Sequence, residues 1–211
     1  MQRKKKIVIV SHCILNVNAK VLGIAKTPGA LDIVKDMLDD GVGIIQLPCP
    51  EMLFSGCKRW GMTKEQYDTP IFRRHCRAIL RPIVDQVIDY TASGYRIIGI
   101  IGMDGSPSCG IDTTSVGYTG GSFRCGAVSQ SYSIISESGV YMETLRSMLI
   151  AEKVPLPMVG LDEFDPQKLS WLNVKKALYA NRLATPNIHG APVFHRLREK
   201  DLFADKIDKD S

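Results

Sequence analysis

The sequence predicts a three-layer α/β domain, with a mostly parallel sheet covered by helices on both faces. Two patterns predict it. Short, unbroken apolar runs alternate with longer stretches whose apolar residues recur at three- and four-residue spacing. The runs are also too apolar for strands with one wet face, and such strands belong to parallel sheets buried on both sides. The 211 residues, 45% hydrophobic and 23% charged, suit a single globular domain and exclude a disordered or fibrous chain.

Residues 7–10 form the first apolar, β-branched run, read as a strand. Lys4, Lys5 and Lys6 are its solvated lead-in. With Ser11 and His12 breaking the run and no cleavage site following, the start is not read as a signal peptide, and a cytoplasmic protein is expected. Pro28 opens a helical pattern in which Ala30, Leu31, Val34, Met37 and Leu38 share a face, and Gly41 stops it. Residues 42–47 are the second strand, closed by Pro48. Residues 51–69 are polar and read as a loop, long enough to be functional.

Residues 71–91 give a long helical stretch with Ile79, Ile83, Val84, Val87 and Ile88 on its apolar face. Pro82 is expected to kink or divide it. Residues 97–103 are the third strand, and the Gly- and Ser/Thr-rich residues 104–126 a loop. A helix over 137–152, a strand over 156–161 and a helix over 166–180 follow. The tail from about residue 186 has no clear pattern and is read as a C-terminal extension of the same domain. No internal repeat is present.

The net charge of +5 permits an anionic partner without demanding one. Lys58, Arg59, Arg73, Arg74, Arg77 and Arg81 form the most basic part, either a wet helix face or an anion-attracting rim. No recognition-helix signature points to nucleic acid, and no apolar run approaches the ~18 residues of a membrane helix.

Six cysteines stand out: Cys13, Cys49, Cys57, Cys76, Cys109 and Cys125. Three of them, Cys13, Cys49 and Cys109, each lie just past one of the first three strands. Parallel strands place their carboxyl ends on one edge, where open α/β sheets bind ligands. The three thiols are therefore expected to meet. From spacing alone four readings stand: buried core thiols, a zinc site, a [4Fe-4S] cluster with one iron left open, or a catalytic thiol.

The flanking residues add chemistry. Cys49 lies between two prolines, and Cys109 sits in DGSPSCG, where Ser106 and Ser108 can donate to cluster sulfides or an anion. Glu51 is either a first-turn helix acid or a proton shuttle with a raised pKa in a dry pocket. His12 is a structural histidine or an alternative ligand. Asn16 contacts substrate or a sulfide, or makes a turn with Asn18.

Together SHCILN, LPCPE and DGSPSCG resemble a family of bacterial and archaeal proteins long labelled a domain of unknown function (DUF523). Its characterised members are thiouracil desulfidases. The resemblance spans about residues 7–159 and is nearest the desulfidase-related branch. It implies a Rossmann-like domain holding a [4Fe-4S] cluster by Cys13, Cys49 and Cys109, with one iron not bound by protein. It matches Glu51 and Ser106 to the family's catalytic acid and serine. The implied function is removal of sulfur from a small thiolated compound, a thiocarbonyl or nucleobase, without net redox change. Glu51 would help a water add to the carbon, and Ser106 would place substrate or sulfur.

The chain departs from the family pattern after Cys13 and after Glu51, so its substrate loop differs. Trp60 is expected there to stack on a planar ligand or to anchor its own loop, Arg59 or Lys58 to meet an anion, and Tyr67 and Asp68 to reach the pocket. Cys57 is an exchange candidate for a ligand, Cys76 a packing residue, and Cys125 a redox-sensitive or sulfur-accepting thiol. The alternatives are a Cys-ligated zinc hydrolase and a non-enzymatic iron–sulfur sensor or sulfur carrier. The partners implied are the small substrate and the iron–sulfur assembly machinery; a homo-oligomer is left open.

Overall fold

The computed structural model describes residues 3–120, 132–165 and 167–184. Expectations about Cys125 and about the tail from residue 186 lie outside the described residues. The elements in chain order are β1 (Lys6–Val10), α1 (His12–Leu15), a 3-10 turn (Val17–Ala19), α2 (Ile33–Asp39) and β2 (Gly43–Gln46). Then come α3 (Pro50–Ser55), α4 (Lys64–Tyr67), α5 (Pro70–Ala92), β3 (Arg96–Met103) and β4 (Thr114–Val116). β5 (Ser133–Ile135), α6 (Val140–Ala151), β6 (Met158–Leu161) and α7 (Trp171–Ala184) complete the series.

Four strands form one fully parallel sheet in the order β2–β1–β3–β6. α5 and α6 pack together on one face, and α2 and α7 on the other, giving the expected three layers. The inner strands are buried on both sides. Val8, Ile9 and Val10 of β1 and Ile100 and Ile101 of β3 are fully shielded from solvent. Each such side chain contributes roughly 1.5–3 kcal/mol of hydrophobic stabilisation. Among the described residues no helix is long and apolar enough to cross a membrane.

Several boundaries differ from expectation, each for a local reason. α2 starts at Ile33 rather than near Pro28, because the preceding backbone is drawn into other bonds. Val17 N donates to Gly29 O at 2.8 Å and Leu31 N to Ile14 O at 2.9 Å. The segment read as a loop after Cys49 holds two short helices. Cys49 caps α3 with Pro50 in its first turn, and Gln66 accepts from the Thr63 amide at 3.0 Å to start α4.

Pro82 does not divide α5. It lies on the exposed face, and the Ala78 carbonyl it leaves without a helical donor is on an exposed residue, open to water. β4 lies within the segment read as loop, and it pairs with β5, in a stretch left unassigned, as a small antiparallel ribbon.

The strand order carries the functional consequence. From β1 the chain moves to β2 on one side, then returns to place β3 on the other. The order reverses at β1, so a crevice opens between the carboxyl ends of β1 and β3.

Candidate functional site

The loops after β1, β2 and β3 all leave the sheet at this edge. Ser11 N donates to Ile101 O at 2.9 Å, tying the end of β1 to β3, and the single turn of α1 then carries Cys13. His12 is taken up in joining strands: its Nδ1 lies 3.2 Å from Leu47 O, and Gln46 Nε2 donates to its carbonyl at 2.9 Å. Cys49 ends the next crossing, where its Sγ accepts from Met52 N at 3.4 Å as the cap of α3.

The Cys109 loop is built tightly. Ser106 Oγ accepts from Cys109 N at 3.0 Å and from Ser108 N at 3.4 Å. Asp104 Oδ1 accepts from the amides of Ile111, Asp112 and Thr113 at 3.1, 3.0 and 3.3 Å. A glycine is required at position 102, since a Cβ there would sit 2.5 Å from the Cys109 carbonyl oxygen.

The three thiols sense one another. Burial pushes the Cys13 thiol up to about 12, against the pull of Lys20, with Cys49 and Glu51 raising it further. Burial likewise raises Cys49. Burial, then Cys13, Cys49 and Glu51, holds Cys109 well above the ordinary thiol range. All three are therefore neutral thiols at neutral pH, and ionising them in one dry space calls for added positive charge.

Among the described residues, no three His, Cys, Asp or Glu side chains form a group arranged to hold a metal ion. The thiols share a neighbourhood without closing on one point. Three thiols delivered by separate loops are a donor type that iron–sulfur clusters take, each thiolate to its own iron. The buried Ser11 and Tyr141 hydroxyls, which have no hydrogen-bond partner, add donors of the kind sulfur accepts.

Glu51 stands beside the thiols and is only 9% exposed. Its Oε1 accepts from Ser108 Oγ at 2.6 Å, and its Oε2 from Arg59 Nε at 3.2 Å. Arg59 is buried as well and donates from Nη2 to Ala19 O at 2.6 Å. Burial alone would lower Arg59; the Glu51 and Cys49 charges reverse that and raise it. Tyr67 is buried against the same group, its phenol raised by burial and by Glu51. A second buried ion pair, Lys20 with Glu163 from the loop after β6, adds its field to Cys13.

The other sequence candidates are placed as follows. Ser106 serves the Cys109 amide, while Ser108 is the residue that meets Glu51. Asn16 accepts from Asn18 N at 3.2 Å and starts the 3-10 turn. Trp60 is 70% exposed, and Lys58 and Cys57 are exposed too. Asp68 accepts from Arg73 at 2.5 Å on the surface. Cys76 is fully buried in α5. The basic residues do not form one rim: Arg59 turns inward, and Arg73 and Arg81 pair with acids.

Sequence reasoning missed Lys20, Glu163 and Tyr141. Lys20 and Glu163 are 143 positions apart, so no local pattern joins them. Tyr141 showed only as one more apolar position of a helix.

Fold and site together define a Rossmann-like α/β protein with three neighbouring thiols, two of them buried, at the topological switch point of its sheet. The chain is 44% identical over 108 residues to the uncharacterized protein MJ0003 of Methanocaldococcus jannaschii, a match covering 51% of this chain and 69% of that protein. It belongs to the same family as that archaeal protein. No family model and no solved structure matches it.

Proposed function

We propose that the protein removes sulfur from a small thiolated compound, without net redox change, at a [4Fe-4S] cluster held by Cys13, Cys49 and Cys109. One observation carries the reading. Three thiols from three strand ends, Cys49 and Cys109 buried and Cys13 half-buried, neighbour a buried, doubly hydrogen-bonded carboxylate, Glu51. Burying that much polar chemistry is costly unless it is used. When bound, the cluster supplies a Lewis-acid iron free of protein that suits a soft sulfur atom.

The chain's own residues supply the rest. Ser108 and Arg59 fix Glu51 so that its carboxylate can take the proton of a water adding to the thiocarbonyl carbon. That carbon gains the water oxygen, its bond to sulfur breaks, and the carbonyl product and hydrogen sulfide result, with no electrons gained or lost. Ser106 holds the Cys109 amide, which keeps the thiol in register with the pocket. Asn16 and the exposed Trp60 are the substrate contacts proposed outside the thiols. The cluster would come from the iron–sulfur assembly machinery.

Anaerobic iron and sulfide analysis of wild type and Cys109→Ser is the test. Brown wild type with about four irons per chain, and a Cys109→Ser variant that loses them, is the expected result. Colourless protein with one zinc per chain would overturn the reading in favour of a zinc hydrolase. Loaded protein that releases no sulfide from any thioamide or thiolated base would leave a sensor or sulfur carrier.

A further inference from the structure

The first turn of α6 rests directly on the Cys109 loop. Val140 N donates to Pro107 O at 3.1 Å, Tyr141 N to Ser108 O at 3.0 Å and Met142 N to Ser108 O at 3.2 Å. These bonds fix the Tyr141 backbone beside Cys109. Its side chain is 0% exposed, and its phenol oxygen has no hydrogen-bond partner. Burial holds its phenol far above the usual range, and Cys109, Cys76 and Cys49 are the ionisable groups near enough to add to that.

A second phenol, Tyr67 of α4, approaches from the Glu51 side. It is also buried, with Glu51, Arg59 and Cys49 around it. Arg59 can offer a proton to its oxygen, but no acceptor takes the phenol's own proton. α4 is pinned to α6 by Lys64, which donates to Glu137 at 3.0 Å and Glu143 at 2.7 Å. The elements that carry the two phenols are therefore tied to each other. Native proteins seldom leave a buried hydroxyl without an acceptor, and two at one site point to an acceptor brought by what binds there.

We propose that Tyr141 and Tyr67 are positioning residues whose O–H groups donate hydrogen bonds to sulfur atoms of the group bound among Cys13, Cys49 and Cys109. The inference rests on the cluster reading above. It adds that the two phenols hold the bound sulfur, and that they lack an acceptor until it is there. Donation to sulfur also favours the reduced, more negative form of such a group, so the phenols raise its reduction potential.

Tyr141→Phe and Tyr67→Phe keep ring volume and remove only the donor. Each variant and wild type would be measured first without iron, by thermal midpoint. Each would then be reconstituted anaerobically with iron and sulfide, and the rate of bleaching by an iron chelator and the reduction potential recorded. The expected result has two halves. Without iron, the midpoint of Tyr141→Phe equals or exceeds that of wild type. Once loaded, each variant bleaches about tenfold faster, the loss of one hydrogen bond to a charged acceptor, and its potential moves in the negative direction.

Loaded variants that bleach at the wild-type rate with an unmoved potential overturn this inference and leave the desulfidase reading intact. A midpoint that falls in iron-free Tyr141→Phe also overturns it, because that phenol then has an acceptor within the protein, whereas Tyr67→Phe also loses the Arg59 bond and is judged on its loaded form. Wild type that takes up no iron overturns the cluster reading and this inference together.

Discussion

Replacing Arg59 by Met tests whether the pocket wall is held by its buried ion pair. The Arg59 side chain is 3% exposed and that of Glu51 11%. Met keeps most of the aliphatic stem, so the change isolates the guanidinium. Glu51 is left with Ser108 as its donor, and the carbonyls of Ala19 and Gly56 each lose theirs. Removing one partner of a buried pair costs about 3–5 kcal/mol. The residual access of Glu51 to solvent favours the lower end, about 3 kcal/mol.

For a chain of this length that loss is roughly 6–12 °C in thermal midpoint. Adding Glu51→Gln removes the stranded charge yet keeps an oxygen for Ser108. The double variant is expected to recover to within about 1.5 kcal/mol of wild type. Urea unfolding of the iron-free protein, followed by circular dichroism, measures all three. An Arg59→Met variant within about 1 kcal/mol of wild type, or a double variant no more stable than Arg59→Met, would refute the assignment.

Other outcomes follow from the same geometry. Burial pushes Cys13 and Cys76 up to about 12, while a thiol in the unfolded chain ionises near 9.0. The native state thus keeps protons that the unfolded state gives up. This stability is fully present below about pH 9 and is lost as pH rises toward 12, by up to about 1.4 kcal/mol per pH unit for each thiol. Urea midpoints across that range should show the fall, and Cys76→Ala should flatten it. Iodoacetamide at neutral pH should modify the exposed Cys57 well before Cys49, Cys76 or Cys109, which peptide mass mapping would read. Asp104→Ala deprives three loop amides of their acceptor and should cost about 2–4 kcal/mol. Iron uptake should fall with it, since the same loop carries Cys109.

Much of the scaffold was legible because its signals are local. The four apolar runs are the four strands of the sheet, and their order along the chain already put Cys13, Cys49 and Cys109 on one edge. The start of α3 was legible in part: Glu51 as a first-turn acid was one of its two readings, while Cys49 as the cap and Pro50 as the first-turn proline were left inside a loop. The β4–β5 ribbon was not legible, since two three-residue strands are too short to show a pattern and pair across a long Gly-rich insertion. Nor was the Ser108–Glu51 bond, which joins residues 57 positions apart. Sequence showed two serines before Cys109; only the folded loop separates the one that holds the amide from the one that meets the carboxylate. The inward turn of Arg59 is a similar case, because a basic residue in a polar loop looks the same whether it faces water or a buried carboxylate.

The reversal of strand order at β1 also sets a sequence of events in time. Cys13 is synthesised early, but its neighbour across the crevice belongs to the loop after β3, nearly half the chain later. Until β3 docks beside β1 and Ile101 accepts the Ser11 amide, the first thiol has no third partner. Parallel pairing of distant strands is slow compared with helix formation. A group that needs all three thiols can therefore enter only after the sheet has closed. Such a group is a late passenger on a finished scaffold, in contrast to a zinc finger, where the metal nucleates the fold.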